Sequence, residues 1–134
     1  MALLRHLALR CRDVEVSRRF YEQAIGFRFV AYRPSGTSID MSDGTLNITL
    51  LPYEGARAAN VEGEEYIHFG IWVEDLQAAW LRLKSAGFRG VKTVKGRDEI
   101  DPDAPPERAF KVIDPDGNVI DLTSDRGEWR GVEL

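Results

Sequence analysis

Two stretches of the chain share one form: His6 to Asp13, "HLALRCRD", and His68 to Asp75, "HFGIWVED". Each is a histidine, a run of mostly strand-forming residues, then an aspartate. The chain has only 2 His, and each heads one of these stretches. An internal repeat limits the possible folds more than composition does. Each copy is a supersecondary unit that cannot bury its own apolar face alone, so the copies must share a core or a concave surface.

The rest of the chain follows the same period. Leu3 to Cys11 reads as a strand. Asp13 reads as the N-cap of a helix over Val14 to Ala24, in which Val16, Phe20, Tyr21 and Ala24 fall at helical spacing. Gly26 stops that helix. Phe27 to Arg33, Thr37 to Met41 and Thr45 to Leu51 read as three strands, separated by the turn segments "RPSG" and "SDG". After a polar linker the order restarts. Glu65 to Val73 is a strand, and Asp75 caps a helix whose apolar face carries Leu76, Ala79, Trp80 and Leu83. "AGFR" ends this helix as "IGFR" ended the first. Val91 to Lys95, Glu107 to Ile113 and Asn118 to Thr123 are the closing strands, and Asp116-Gly117 turns the last pair as Asp43-Gly44 turned the first. Gly96 to Pro106 is an acidic, proline-rich insertion with the character of a surface loop or lid.

This pattern predicts an α+β domain of two tandem β-α-β-β-β modules. Their sheets should form a cup-shaped partial barrel with the helices outside. Module one covers residues 1–52, the linker 53–64, module two 65–124, and a short polar tail 125–134.

Composition excludes several classes. Among the 134 residues, 43% are hydrophobic and 30% charged, which suits a globular protein. The net charge of −4 argues against nucleic acid as the main partner, because a phosphate backbone requires a basic face. No apolar run approaches the ~18 residues of a membrane span, and Arg5, Arg10 and Arg12 interrupt the N-terminus where a signal peptide would be apolar. The single Cys11 cannot form an internal disulfide. A soluble, cytoplasmic protein that takes a small-molecule substrate is expected, with no membrane or nucleic-acid partner.

Alternation along the strands selects candidate site residues. His6, Ala8 and Arg10 share one face of the first strand, while the more apolar Leu7, Leu9 and Cys11 face the helix. His68, Gly70 and Trp72 share the corresponding face of the fifth. Ala8 and Gly70 are small, which predicts room beside each imidazole. In the last strand Asp121 is a carboxylate between apolar neighbours, a costly placement unless it is paired or binds metal. The repeat aligns Thr49-Leu50 with Asp121-Leu122, give or take one residue. Two imidazoles and one carboxylate on a concave face make a set that holds a divalent metal and leaves positions open for substrate. The alternative is a metal-free pocket in which Asp121 hydrogen-bonds the imidazoles. Arg10 is a candidate for binding an anionic substrate group, or for an ion pair with an acidic neighbour. Trp72 is a candidate pocket wall.

The blocks "HLALRCRDVEVSRRFYEQAIGFR", "YIHFGIWVEDL" and "FKVIDPDGNVIDL" resemble the vicinal oxygen chelate superfamily, which includes glyoxalase I, extradiol dioxygenases, fosfomycin resistance thiol transferases and bleomycin resistance proteins. The resemblance runs from about His6 to Thr123. It implies that His6 and His68 match the family's metal histidines and that Asp121 matches its final metal glutamate, one methylene shorter. It implies a divalent cofactor (Zn, Ni, Mn or Fe), a homodimer, and a glyoxalase-I-like lyase or isomerase that chelates vicinal oxygens of a small substrate. The chain departs from the pattern at Thr49 and Asn47, where glyoxalase I has a carboxylate or amide ligand. These two are candidate substrate-binding groups, and Asp121 is left as the catalytic base. The other readings are a metal-free drug-binding protein of the bleomycin-resistance kind, or a dioxygenase or thiol transferase of the same fold.

Overall fold

The computed structural model describes residues 4–55, 68–88, 90–92 and 107–132. It resolves into two compact units, Met1–Ala59 and Asn60–Leu134. The Gly96 to Pro106 insertion and most of the linker lie outside the described residues. Among the described residues no helix is long and apolar enough to cross a membrane.

The first unit runs β1 (His6–Cys11), α1 (Val14–Arg19), a π-helical turn (Phe20–Ile25), β2 (Arg28–Tyr32), β3 (Ile39–Ser42) and β4 (Asn47–Pro52). The sheet order is β1-β4-β3-β2, with β1 parallel to β4 and the other pairs antiparallel. Asp13 caps α1 as expected, its Oδ1 accepting from the N–H groups of Glu15 (2.9 Å) and Val16 (3.1 Å). The helix then departs from the sequence expectation. Its last turn widens, so that the N–H of Gly26 reaches the carbonyl of Tyr21 at 3.0 Å. The wide turn accommodates two consecutive aromatic residues, Phe20 and Tyr21, both wholly buried. Their rings meet edge to face at 5.1 Å, and Tyr21 stacks on Phe27 at 6.0 Å. Gly26 closes the turn at φ 94°, which favours glycine.

The second unit repeats the plan: β5 (His68–Trp72), α2 (Leu76–Ser85), β6 (Gly90–Lys92), β7 (Ala109–Ile113) and β8 (Val119–Thr123). The order is β5-β8-β7-β6, again with first and last strands parallel. Asp75 accepts from the N–H of Ala78 at 2.9 Å. The apolar face of α2 is the expected one, with Leu76, Ala79, Trp80 and Leu83 buried, and Trp80 meets Phe110 of β7 edge to face at 5.2 Å. β1 and β2 begin later than their apolar runs, because a ladder stops where its partner stops; residues 65–67 of the expected fifth strand and 93–95 of the expected sixth lie outside the described residues.

The "DPDGN" block is a turn device. Asp114 Oδ1 accepts from the N–H groups of Asp116 (2.9 Å) and Asn118 (2.8 Å), and Oδ2 accepts from Asn118 Nδ2 (2.7 Å). Asp114 and Asn118 are buried, so losing the carboxylate would strand several donors. Asp114→Ala is therefore expected to cost roughly 2–4 kcal/mol, read as a lower urea midpoint with unchanged slope.

Candidate functional site

In each unit the parallel register brings matched positions together. In the first, β1 and β4 pair His6 with Asn47 and Ala8 with Thr49, and β3 adds Asp40 opposite Thr49. In the second, Gly70 pairs with Asp121 and Lys111 lies opposite Asp121. Thr49 and Asp121 are thus equivalent, and the one-residue slack in the sequence alignment disappears.

The first row is a closed polar network. His6 Nδ1 is 2.7 Å from Asn47 Oδ1. With the amide oxygen accepting, Nδ1 carries the proton and Nε2 keeps its lone pair. Thr49 is buried. Its hydroxyl donates to Asp40 Oδ1 at 2.7 Å and accepts from Arg33 Nη2 at 2.9 Å. Arg33 Nε spans both Asp40 oxygens at 3.1 and 3.2 Å. Partial burial pushes the Asp40 pKa up, but hydrogen bonds from Thr49, Asn47 and Arg33, with the Arg33 charge, outweigh it and hold the carboxyl below its ordinary value.

The second row holds a buried ion pair. Lys111 is 4% exposed and Asp121 7%. The ammonium lies 3.0 Å from Asp121 Oδ1, at angles that make it an ion pair rather than a hydrogen bond. The other oxygen, Oδ2, is 3.8 Å from His68 Nε2. Asp121 was expected to bind a metal or to hydrogen-bond the imidazoles. Its main partner is a lysine on the neighbouring strand.

The contacts of two other expected residues are these. Arg10 stands over the Tyr53 ring at 5.3 Å. Trp72 is half-buried, and its Nε1 donates to the carbonyl of Ser124 at 3.2 Å. Arg126 stands over the Trp72 ring at 5.3 Å. The space at Gly70 is not free, which corrects the expectation of room beside His68: a Cβ added there would run into the ring of Trp129. The tail beyond Thr123 thus returns onto β5. Arg108 secures it through Asp125 (2.7 Å) and Glu128 (3.6 Å).

Sequence reasoning missed Asp40, Arg33, Lys111 and Trp129. Asp40 sits between Ile39 and Met41, both wholly buried, so alternation alone would have turned it onto the Thr49 face. Lys111, a lone cation between Phe110 and Val112, carried the same signal. Nothing local marks Trp129.

Within either unit, no three His, Cys, Asp or Glu side chains among the described residues group as a metal centre. His68 and Asp121 do not fit a divalent cation as they stand. A dication on Asp121 would lie within about 5 Å of the Lys111 ammonium, a repulsion of roughly 7 kcal/mol at an effective dielectric of about 20.

A sequence profile of the Glyoxalase/Bleomycin resistance protein/Dioxygenase superfamily matches residues 3–122, and the chain belongs to that superfamily. No curated protein matches it in sequence. Solved structures share the fold at low identity. A possible glyoxalase from Bacillus cereus is 21% identical, with 92% of this chain and 99% of that one covered and a TM-score of 0.63. The fosfomycin resistance protein FosX from Mesorhizobium loti is 16% identical, with 93% of each chain covered and a TM-score of 0.67. TnmS3, an antibiotic binding protein from Streptomyces sp. CB03234, is 19% identical, with 92% and 95% covered and a TM-score of 0.65.

Two outcomes follow from these contacts. Gly70→Ala should expel Trp129, cost roughly 1–3 kcal/mol and red-shift the tryptophan emission; an unchanged spectrum would mean the ring has another seat. The carboxyl of Asp43 is also held low. Burial raises its pKa, but the N–H groups of Leu46 and Thr45 outweigh that effect. A carboxyl whose folded pKa is depressed stabilises the fold fully above its unfolded value, near ~4, and loses that contribution as pH falls through the folded value. Asp40→Asn should therefore lower the urea midpoint at about pH 7, by an amount that shrinks as the pH falls below ~4 and through the folded value of Asp40.

Proposed function

We propose that this protein binds a small organic molecule on the polar face of a sheet, and that it does so without a metal. The observation that carries this reading is that each carboxylate of these rows has its own cation: Asp40 has Arg33 and Asp121 has Lys111. A sheet face that only filled a core would be apolar, whereas these faces hold charged groups already balanced against one another. Trp72 and Trp129 add aromatic surface in the second unit. The net charge of −4 favours a cationic or neutral aromatic ligand. TnmS3 is described as an antibiotic binding protein, and an aromatic or cationic antibiotic is the ligand class we propose here.

The second reading is a metal-dependent lyase or isomerase with Asp121 as base. One observation favours it. His6 Nδ1 is tied to Asn47, which aims the Nε2 lone pair outward as metal-bound histidines require. Against it, Lys111 occupies one side of Asp121, and Arg33 keeps Asp40 a weak base.

Titration of a panel of cationic and aromatic antibiotics, bleomycin included, into the chelator-treated protein separates the two, with tryptophan fluorescence as readout. Saturable binding that chelator leaves unchanged is the expected result. Copurification of about one Zn, Ni, Mn or Fe per chain, lost in Asp121→Ala and His68→Ala, with ligand binding only in its presence, would overturn the metal-free reading in favour of a metal-dependent one.

A further inference from the structure

The carboxylate of Asp121 stands where the superfamily resemblance puts a metal ligand, yet a buried ammonium neutralises it. Lys111 and Asp121 face each other across β7 and β8, and both are almost fully removed from solvent. Asp121 Oδ1 is buried and makes no hydrogen bond, so the Lys111 charge at 3.0 Å is its main compensation. Oδ2 faces His68 Nε2 at 3.8 Å. An imidazole nitrogen and a carboxylate oxygen at that separation are a pair of donors suited to one cation, and the adjacent positive charge works against any second one.

We propose that Lys111 is the residue that sets the cation preference of this site: its ammonium takes the charge-balancing role of a divalent metal on Asp121, and its removal turns His68 and Asp121 into divalent-metal ligands. This deepens the metal-free reading above and rests on it. An isolated buried carboxylate is strongly disfavoured, so a chain without the ammonium must neutralise Asp121 in another way. A dication supplied from solution does so and gains the His68 lone pair as well. The effect is specific to the positive charge, so Lys111→Arg should behave as the wild type does.

The test is calorimetric titration of Zn2+ into the wild type, Lys111→Met, Lys111→Gln, Lys111→Arg, and the double variant Lys111→Met/Asp121→Asn, with circular dichroism as a folding check. Lys111→Met and Lys111→Gln are expected to take up Zn2+ at least about tenfold more tightly than the wild type, and the double variant to lose that gain. If Lys111→Met unfolds without metal, Zn2+ should restore its fold. Equal Zn2+ affinity in folded Lys111→Gln and wild type would overturn the proposal. So would a Lys111→Met chain that Zn2+ cannot rescue, a gain of equal size in Lys111→Arg, or a gain that survives Asp121→Asn. Chelator-resistant antibiotic binding by the wild type reads out the functional proposal separately, so the two can fail independently.

Discussion

The parallel pairing of the first and last strand in each unit fixes nearly everything that follows. Parallel neighbours cannot be joined by a tight turn, so a long crossover must intervene; here it holds a helix and two further strands, and the helix covers one face of the sheet it leaves. The same pairing sets the register. His6 lies beside Asn47 and Ala8 beside Thr49 in one unit, and Gly70 beside Asp121 in the other. A slip of one residue would turn every one of these side chains to the opposite face. The chemistry of the two rows is therefore a consequence of strand register.

That register places charges where water is scarce, and the structure handles the cost by pairing. Arg33, Asp40, Thr49, Asn47 and His6 form a continuous hydrogen-bonded row with each acceptor served. Lys111 and Asp121 form a shorter and drier row. The two rows share a design and differ in depth: Arg33 is largely exposed, whereas Lys111 is buried. Removing one partner from the second row leaves a charge with no solvent to shield it, while the first row can turn to water. A ligand that approaches these faces meets side chains already held in place, which lowers the entropy lost on binding.

Much of the architecture was legible in the residues. The recurring histidine-to-aspartate stretch revealed the tandem modules, Asp13 and Asp75 marked the helix starts, and the apolar face of α2 was read residue for residue. The candidate site was legible only in part. The π-helical turn escaped because it depends on fitting Phe20 and Tyr21 together into the core, a matter of volume rather than spacing. Lys111 escaped because its partner lies on the next strand, and a cross-strand contact is set by register that no local pattern states. Trp129 escaped because Gly70 is small for the sake of a ring distant in sequence; smallness reads equally as empty space or as a close approach.

The sequence by itself determined the repeat, the helix caps, the turn chemistry of "DPDGN" and, within each unit, the sheet face that holds His6 in one and His68 with Asp121 in the other, because these follow from periodicity and from hydrogen bonds between near neighbours. Only the tertiary structure decided what those residues meet. It gave Asp121 an ammonium, tied His6 to Asn47, sent Arg10 to Tyr53 and filled the space at Gly70 with Trp129. Such pairings depend on which strands lie side by side and on where the chain returns, and the free energy that selects them is that of the whole packed unit.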